Sequence, residues 1–262
     1  MLESFATDIS AEIIKGLFRL IYAAYNEVRF QFYFKPLIGG ILRSNHLYFI
    51  HLRTDRQNEF LRKVMDNYLY FHFVPKGTKL RKRQKVIIAA AAAQLVMFLP
   101  DEALSYFTRI IVYPDYYYSR LTGRMHKGEV NPGMRVIVFS KRGIIEGNKV
   151  SNDGINLLHH EFAHALWLEH KLVGHQYTVL SEYLMEQFEA YATSEIDAIQ
   201  NVEDHFFRAY AFTNMAEFFA VAVENFFERP KEFEQHQPQL FSILTGLLKQ
   251  NPLTVAPSAF RK

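Results

Sequence analysis

The sequence predicts an α+β fold, mostly helical with a small mixed sheet. Three observations carry this. Apolar residues recur at helical spacing along most of the chain. Two β-branched runs, Arg109-Ile110-Ile111-Val112-Tyr113 and Arg135-Val136-Ile137-Val138-Phe139-Ser140, interrupt that spacing and read as strands. Between them and the C-terminal helices lies Leu157-Leu158-His159-His160-Glu161-Phe162-Ala163-His164-Ala165-Leu166, an apolar helix with H-E-x-x-H at its centre. The sheet is expected to pack against this helix, with the other helices around it.

In order along the chain, residues from about Ser10 to Phe34 read as one helix, with Ile13, Ile14, Leu17, Leu20 and Ile21 on one face. Pro36 and Gly39-Gly40 are expected to break it. A short apolar piece spans Tyr48 to Ile50, and helical spacing returns from Asp55 to Tyr70. Pro75-Lys76-Gly77 reads as a turn and divides the chain into an N-terminal helical segment, 1–75, and a larger domain, 76–262, that contains the H-E-x-x-H helix. Arg83 to Leu99 forms a helix around Ala89 to Ala93; small side chains let another backbone approach, which places it in the core. Pro100 ends it and Pro114 ends the first strand. Tyr116-Tyr117-Tyr118 and Gly123-Arg124 fall in the connection, and Gly128 to Gly133 is loop-like. The second strand is placed to pair with an extended peptide. Ser151-Asn152-Asp153 and Gly154 precede the motif helix as a turn and cap. Helices follow over Ser181 to Ile199, Met215 to Phe227 and Phe233 to Leu248, with a tail from Pro252 to Lys262.

Composition narrows the function classes. The chain of 262 residues has 49% hydrophobic and 22% charged residues, which marks it as globular. Its 24 Phe and 15 Tyr imply a large aromatic core and some exposed aromatic surface. A net charge of +3 is too weak to argue for nucleic acid. The local run Lys79, Arg81, Lys82, Arg83 and Lys85 reads as a solvated helix start in preference to a site for an anionic partner. Absence of cysteine excludes disulfides and thiolate zinc ligands and fits a cytoplasmic protein. Glu3, Asp8 and Glu12 occupy positions where a signal peptide would be basic and then apolar. Ile13 to Leu42 comes nearest to a membrane span, but Lys15, Arg19, Glu27, Arg29 and Lys35 interrupt it. This segment is expected to pack on the protein itself in preference to a membrane surface or a partner.

The motif carries the chemistry. Residues four apart on a helix share a face about one turn apart, so His160 and His164 reach a single cation. Glu161, displaced around the helix, stands close enough to hold a water on that cation. This is the zinc peptidase arrangement of two nitrogen ligands, a general base and an open position. A third ligand is needed. His170 has the spacing of a metzincin third histidine, but Trp167 stands where that pattern turns on a glycine. Glu182, Glu186 and Glu189 lie at thermolysin-like distances, and Glu217 lies farther along a strongly apolar helix that Asn214 or Thr213 would cap. A carboxylate there is costly to bury without a partner, and a metal is one such partner. Spacing alone leaves these glutamates undecided.

The words L-H-H-E-F-A-H-A-L and A-Y-A-F-T-N-M-A-E-F-F-A-V-A-V-E-N-F-F-E-R-P resemble the Mlc titration factor A family of zinc peptidases. The alanine-rich helix, Ile110-Ile111-Val112-Tyr113-Pro114-Asp115 and Lys127-Gly128-Glu129-Val130 look like it too. The resemblance runs from about Leu80 to Pro252 and is weak before about Ser44. It implies a zincin-like metallopeptidase that hydrolyses peptide or protein substrates, gluzincin-type and aminopeptidase-like. Zn²⁺ would be held by His160, His164 and Glu217, with Glu161 as base and Tyr210 stabilising the transition state. The Tyr-to-Glu spacing is also similar to that of the anthrax lethal factor catalytic domain. Met215 departs from the proline usual in the family, which is expected to alter only the helix start. Glu224, two turns after Glu217, reads equally as orienting a metal-binding histidine and as facing solvent or a neighbouring helix, and His159 faces elsewhere, structural or behind the ligands. The resemblance also implies an alternative, a regulatory protein that sequesters a transcriptional repressor with weak or no peptidase activity; the aromatic-rich N-terminal segment, unmatched by the family, is then a candidate docking surface.

Overall fold

The computed structural model describes residues 2–120, 122–147, 153–173, 179–198 and 205–256, with the side chains of Glu12 and of residue 14 onward. A four-stranded mixed sheet has the order β1-β2-β6-β5, formed by β1 (His72–Pro75), β2 (Arg109–Tyr113), β5 (Gly128–Asn131) and β6 (Val136–Ser140). β1, β2 and β6 run parallel, and β5 pairs antiparallel with β6. A small hairpin, β3 (Tyr117–Ser119) and β4 (Arg124–His126), occupies the connection between β2 and β5.

Besides the hairpin, which falls in the expected connection, two strands of the larger sheet differ from the sequence expectation. β1 hides behind its own Pro75, which reads as a turn; at the end of an edge strand the missing N–H costs no ladder bond. Gly128 to Asn131 reads as loop because Gly, Glu and Asn are poor strand formers, yet pairing with β6 overrides propensity there. One consequence corrects the peptide-pairing expectation. β6 is flanked by β2 and β5, so its own edges are occupied, and the free edge next to the motif helix belongs to β5.

The motif helix α7 (Leu157–Val173) packs against β5, β6, α5 (Lys82–Leu95) and α9 (Met215–Glu228). α5 lies between two apolar clusters. Ile88, Ala91, Ala92 and Leu95 belong to the cluster around α7 and α9, whereas Val86, Ala89, Ala90 and Ala93 belong to an N-terminal one with Phe30, Phe34, Ile38 and Phe60. The alanines thus allow close approach from both sides.

The N-terminal helices are α1 (Leu2–Arg29), α2 (Lys35–Arg43), α3 (Leu47–His51) and α4 (Thr54–Tyr70). Pro36 does not break the chain. The backbone widens into a π-helix over Phe30–Phe34, and α2 starts with Pro36 in its first turn, where no N–H is required. Gly39 and Gly40 sit inside α2, whose Ile38 and Leu42 are fully buried; burial outweighs their poor helix propensity. A second correction concerns α1. Its Ile14, Leu17, Leu20 and Ile21 are exposed, and its core contact is made farther on by Phe30 and Phe34; the Ile13 side chain lies outside the described residues.

Downstream, α6 (Lys141–Gly147) precedes α7, and α8 (Glu182–Ala198) follows it. The single last helix expected from Phe233 to Leu248 is two, α10 (Pro230–His236) and α11 (Pro238–Leu247). Pro238 cannot continue the preceding turn, and so it opens a new helix. Within the expected tail, Pro252–Val255 forms a short helix α12 capped by Asn251. Residues 257–262, Ile199 and the proposed cap residues Ser151 and Asn152 lie outside the described residues.

Candidate metal centre

α7 starts at Asn156, whose side-chain oxygen accepts from the backbone N–H groups of Leu158 (3.1 Å) and His159 (3.2 Å). That is an N-cap two residues later than Gly154, which supplies the left-handed turn (φ 70°) before it. The Asn156 amide donates to Glu228 Oε1 (3.0 Å) and its backbone N–H to Glu224 Oε2 (2.7 Å), so the start of α7 is tied to α9. At the other end of α9, Asn214 caps through a 3.0 Å bond from the Glu217 N–H. Met215 therefore occupies the first turn without disturbing the position of Glu217.

This packing gathers three donors. His160 Nε2 lies 3.1 Å from His164 Nε2 and 3.2 Å from Glu217 Oε2, and His164 Nε2 lies 3.3 Å from Glu217 Oε2. Among the described residues, these three form the one group of histidine and carboxylate donors able to hold a metal ion. Four tetrahedral ligands about 2.0–2.1 Å from zinc stand about 3.3 Å from one another. The donor separations match that figure. Glu217 Oε2 is also buried, with no partner outside this trio, a costly state that a cation would relieve. The residues present fit a zinc-sized ion.

The other third-ligand candidates are elsewhere. α7 continues unbroken through Trp167 and carries His170 to within 3.5 Å of Glu182. Glu189 pairs with Lys171, and Glu186 faces solvent.

Behind the donors, His160 Nδ1 lies 2.7 Å from Glu224 Oε1, the geometry of a ring N–H donating to a carboxylate. Arg208 in turn donates to Glu224 at 2.6 Å and 3.3 Å and to the Gly154 carbonyl at 2.8 Å. This relay fixes the ring of His160 and leaves Nε2 facing the cage. Burial works against a charged His160, yet hydrogen bonds to Glu217 and Glu224 outweigh it and push its pKa up to about 10. Burial likewise opposes ionisation of Glu217, but its bonds to His160 and His164 hold the carboxyl well below the usual range. Both shifts describe one thing: the cage asks for positive charge, as a proton or as a metal.

Glu161 is buried beside the cage. Burial raises its pKa, against the pull of His160 and His164, which is the direction a general base near neutral pH needs. Gly128 explains how the carboxylate fits, since a Cβ there would stand 2.5 Å from Glu161 Oε1. The backbone of β5 is therefore in contact with this carboxylate. Tyr210 sits on a 3₁₀ turn, Ala209–Thr213, and donates to Glu217 Oε1 at 2.9 Å. Burial and the neighbouring Glu217 raise its pKa, so it remains a donor at neutral pH. His159 points away, against the Phe227 ring at 5.0 Å, and burial lowers its pKa to about 3.

Three participants were not legible beforehand. Arg208 lies two residues before Tyr210 without any motif of its own. Asn156 is one of several cap-forming residues in its loop. Gly128 was noticed only as part of a word.

Comparison with known proteins agrees with this geometry. The model of the glucose-regulated metallo-peptidase M90 family matches residues 31–249. That reach takes in the stretch before Ser44, where the sequence words carry little resemblance. The uncharacterized protein slr2042 of Synechocystis sp. (strain ATCC 27184 / PCC 6803 / Kazusa) is 25% identical over 184 residues, covering 64% of this chain and 67% of the relative. A match across most of the chain, which takes in the two helices that bring two imidazoles and a carboxylate together, shows that this protein belongs to the glucose-regulated metallo-peptidase M90 family.

Proposed function

We propose that the protein is a zinc-dependent peptidase of gluzincin type on a zincin-like fold, with a preference for substrates bearing a free amino terminus. The observation that carries this is the convergence of His160, His164 and Glu217 at tetrahedral-ligand separations, with the buried Glu161 alongside. Zinc held by those three residues supplies a Lewis acid that makes a water acidic near neutral pH and polarises a carbonyl. Glu161 takes a proton on its carboxylate and later gives it to the leaving amine. Glu224, braced by Arg208 and the Asn156 N–H, keeps the Nδ1 proton of His160 in place. Tyr210 donates to the substrate oxygen as negative charge builds, which requires its hydroxyl to turn from Glu217.

Substrate binding falls to β5. Its free edge can add an extended peptide as a further strand, with Gly128 bringing that backbone against Glu161. Glu129, next along, is held by Ser119 (3.1 Å) and Tyr117 (3.3 Å), and the Tyr117 hydroxyl feels the charge of both Glu129 and Glu161. The Glu129 carboxylate is suited to a substrate's terminal ammonium, which supports the aminopeptidase-like reading. Sequestering a repressor, the alternative implied by family resemblance, is not favoured by any feature of the site.

Short chromogenic amino-acid and peptide substrates, assayed with and without a chelator, test the reading. Turnover should vanish with chelation and return with added zinc. Glu161→Gln should lower it by about 10²–10⁴-fold while metal remains bound. Unchanged turnover in that variant would refute the assignment of the base. N-acetylated substrates should be refused, and equal cleavage of blocked and free peptides would remove the amino-terminal preference.

A further inference from the structure

The apolar side of α1 is open to solvent. Ile14, Leu17, Phe18, Ile21, Tyr25 and Val28 follow the spacing of one helical face, and all are more than half exposed. Phe18 is 68% and Phe32, continuing the stripe in the π-helix, 81% exposed. Leu20 and Tyr22, on other faces, are exposed as well, and burial begins only beyond α1, at Phe30 and Phe34 of the π-helix. Amphipathic helices usually show the reverse. Cations border the apolar stripe: Lys15, Arg19 and Arg29 run down one flank by helical spacing, with the Arg29 guanidinium 5.3 Å from the Tyr25 ring centre. At the end of the stripe, Lys82 Nζ lies 3.3 Å from the Tyr33 hydroxyl and 5.8 Å from its ring centre. Lys82 belongs to the basic start of α5, where Lys79, Arg81 and Arg83 are also exposed. The described acids of the segment are engaged, Glu12 by Lys15 (2.8 Å) and Glu27 by Arg62 (2.8 Å).

We propose that this face docks on an anionic bilayer surface, α1 lying in the plane of the interface. The chemistry of the face selects that occupant. An aromatic-rich apolar stripe reaches the boundary between headgroups and acyl chains, while the lysines and arginines beside it meet anionic headgroups. A second copy of the chain would bring the same cations against one another. Among the described residues no helix is long and apolar enough to cross a membrane, so the helix lies on the bilayer and not through it.

Co-sedimentation of the full chain with vesicles tests this, without reference to peptidase activity. Vesicles of phosphatidylcholine and phosphatidylglycerol in equal parts should bind the protein, and pure phosphatidylcholine should bind it about tenfold less or weaker. High salt should reduce the difference. Phe18→Ser with Phe32→Ser should lower partitioning about tenfold or more, with an unchanged thermal melt because both rings are exposed. Lys15→Glu with Arg19→Glu should abolish the preference for phosphatidylglycerol. Equal binding to both vesicle types, or none to either, overturns the proposal. So does a dimer in light scattering that the double serine variant dissolves, because the occupant of the face would then be a second copy.

Discussion

α9 and α1 are opposites. α9 buries its acids: Glu224 and Glu228 are buried outright, and the side chain of Glu217 is 15% exposed. α1 exposes its described apolar residues and keeps Glu12 and Glu27 in surface ion pairs. Both helices read from sequence as ordinary amphipathic or apolar helices. What separates them is what covers each face. Around α9, the caps at Asn156 and Asn214 and the Arg208 relay answer most of the buried polar atoms; the His159 ring against Phe227 and Glu217 Oε2 are left over, and the latter marks the cage. Around α1, nothing among the described residues answers the apolar stripe. An unsatisfied group in a packed region points to a small ligand, and an uncovered surface points to a large one.

That contrast can be broken most sharply by truncating one aromatic ring in each region. Phe219→Ala in α9 removes a fully buried ring packed on Trp167 and Phe188, and should cost about 3–5 kcal/mol in denaturant unfolding. A loss below about 1 kcal/mol would mean the core around the site is not what holds α9. Next in size is the relay. Glu224→Gln keeps an acceptor but removes the charge that Arg208 and His160 share, and should weaken metal affinity about 10–100-fold by titration against a competing chelator. Unchanged affinity would make Glu224 a packing residue only.

Glu228 gives a pH-dependent form of the same test. Burial chiefly raises its pKa from 4.5 to about 7, with Asp153 and Glu224 adding to the rise against its bonds from Asn156 and Ile155. Below pH 4.5 the group is protonated in both folded and unfolded chains and costs nothing. Between about pH 4.5 and 7 the unfolded chain ionises first, so stability falls as pH rises, and the penalty is complete above about 7. Glu228→Gln should therefore gain on the wild type by about 1–3 kcal/mol from pH 4.5 to pH 8. A difference that does not change with pH would contradict the buried-acid account. The smallest effect belongs to α1, where Phe18→Ala should change stability by less than about 0.5 kcal/mol. A larger loss would show that the stripe is covered by the protein itself.

Much of the site was legible because its parts are local. His160, Glu161 and His164 are fixed by one helical turn, and Asn214 announces the helix that carries Glu217. Choosing Glu217 over Glu182, Glu186 and Glu189 was a question of tertiary packing, which spacing does not encode; family resemblance pointed to it, and α7–α9 packing brings it to the imidazoles. Of the fold, the long helices and the strands β2 and β6 carry strong periodicity and were found. β1 and β5 are short, carry Pro, Gly or polar residues, and exist through pairing with stronger neighbours, whereas the short strands β3 and β4 pair with each other. The direction in which α1 faces was misread because periodicity defines a stripe but not what lies against it.

The central claim is that two imidazoles on α7 and one carboxylate on α9 hold a single ion. Metal analysis of protein purified without added zinc tests it most directly, with Glu217→Ala as the companion sample. The wild type should carry about one equivalent of zinc, and Glu217→Ala should carry little while still melting cooperatively. A full equivalent retained by a folded Glu217→Ala protein would contradict the account.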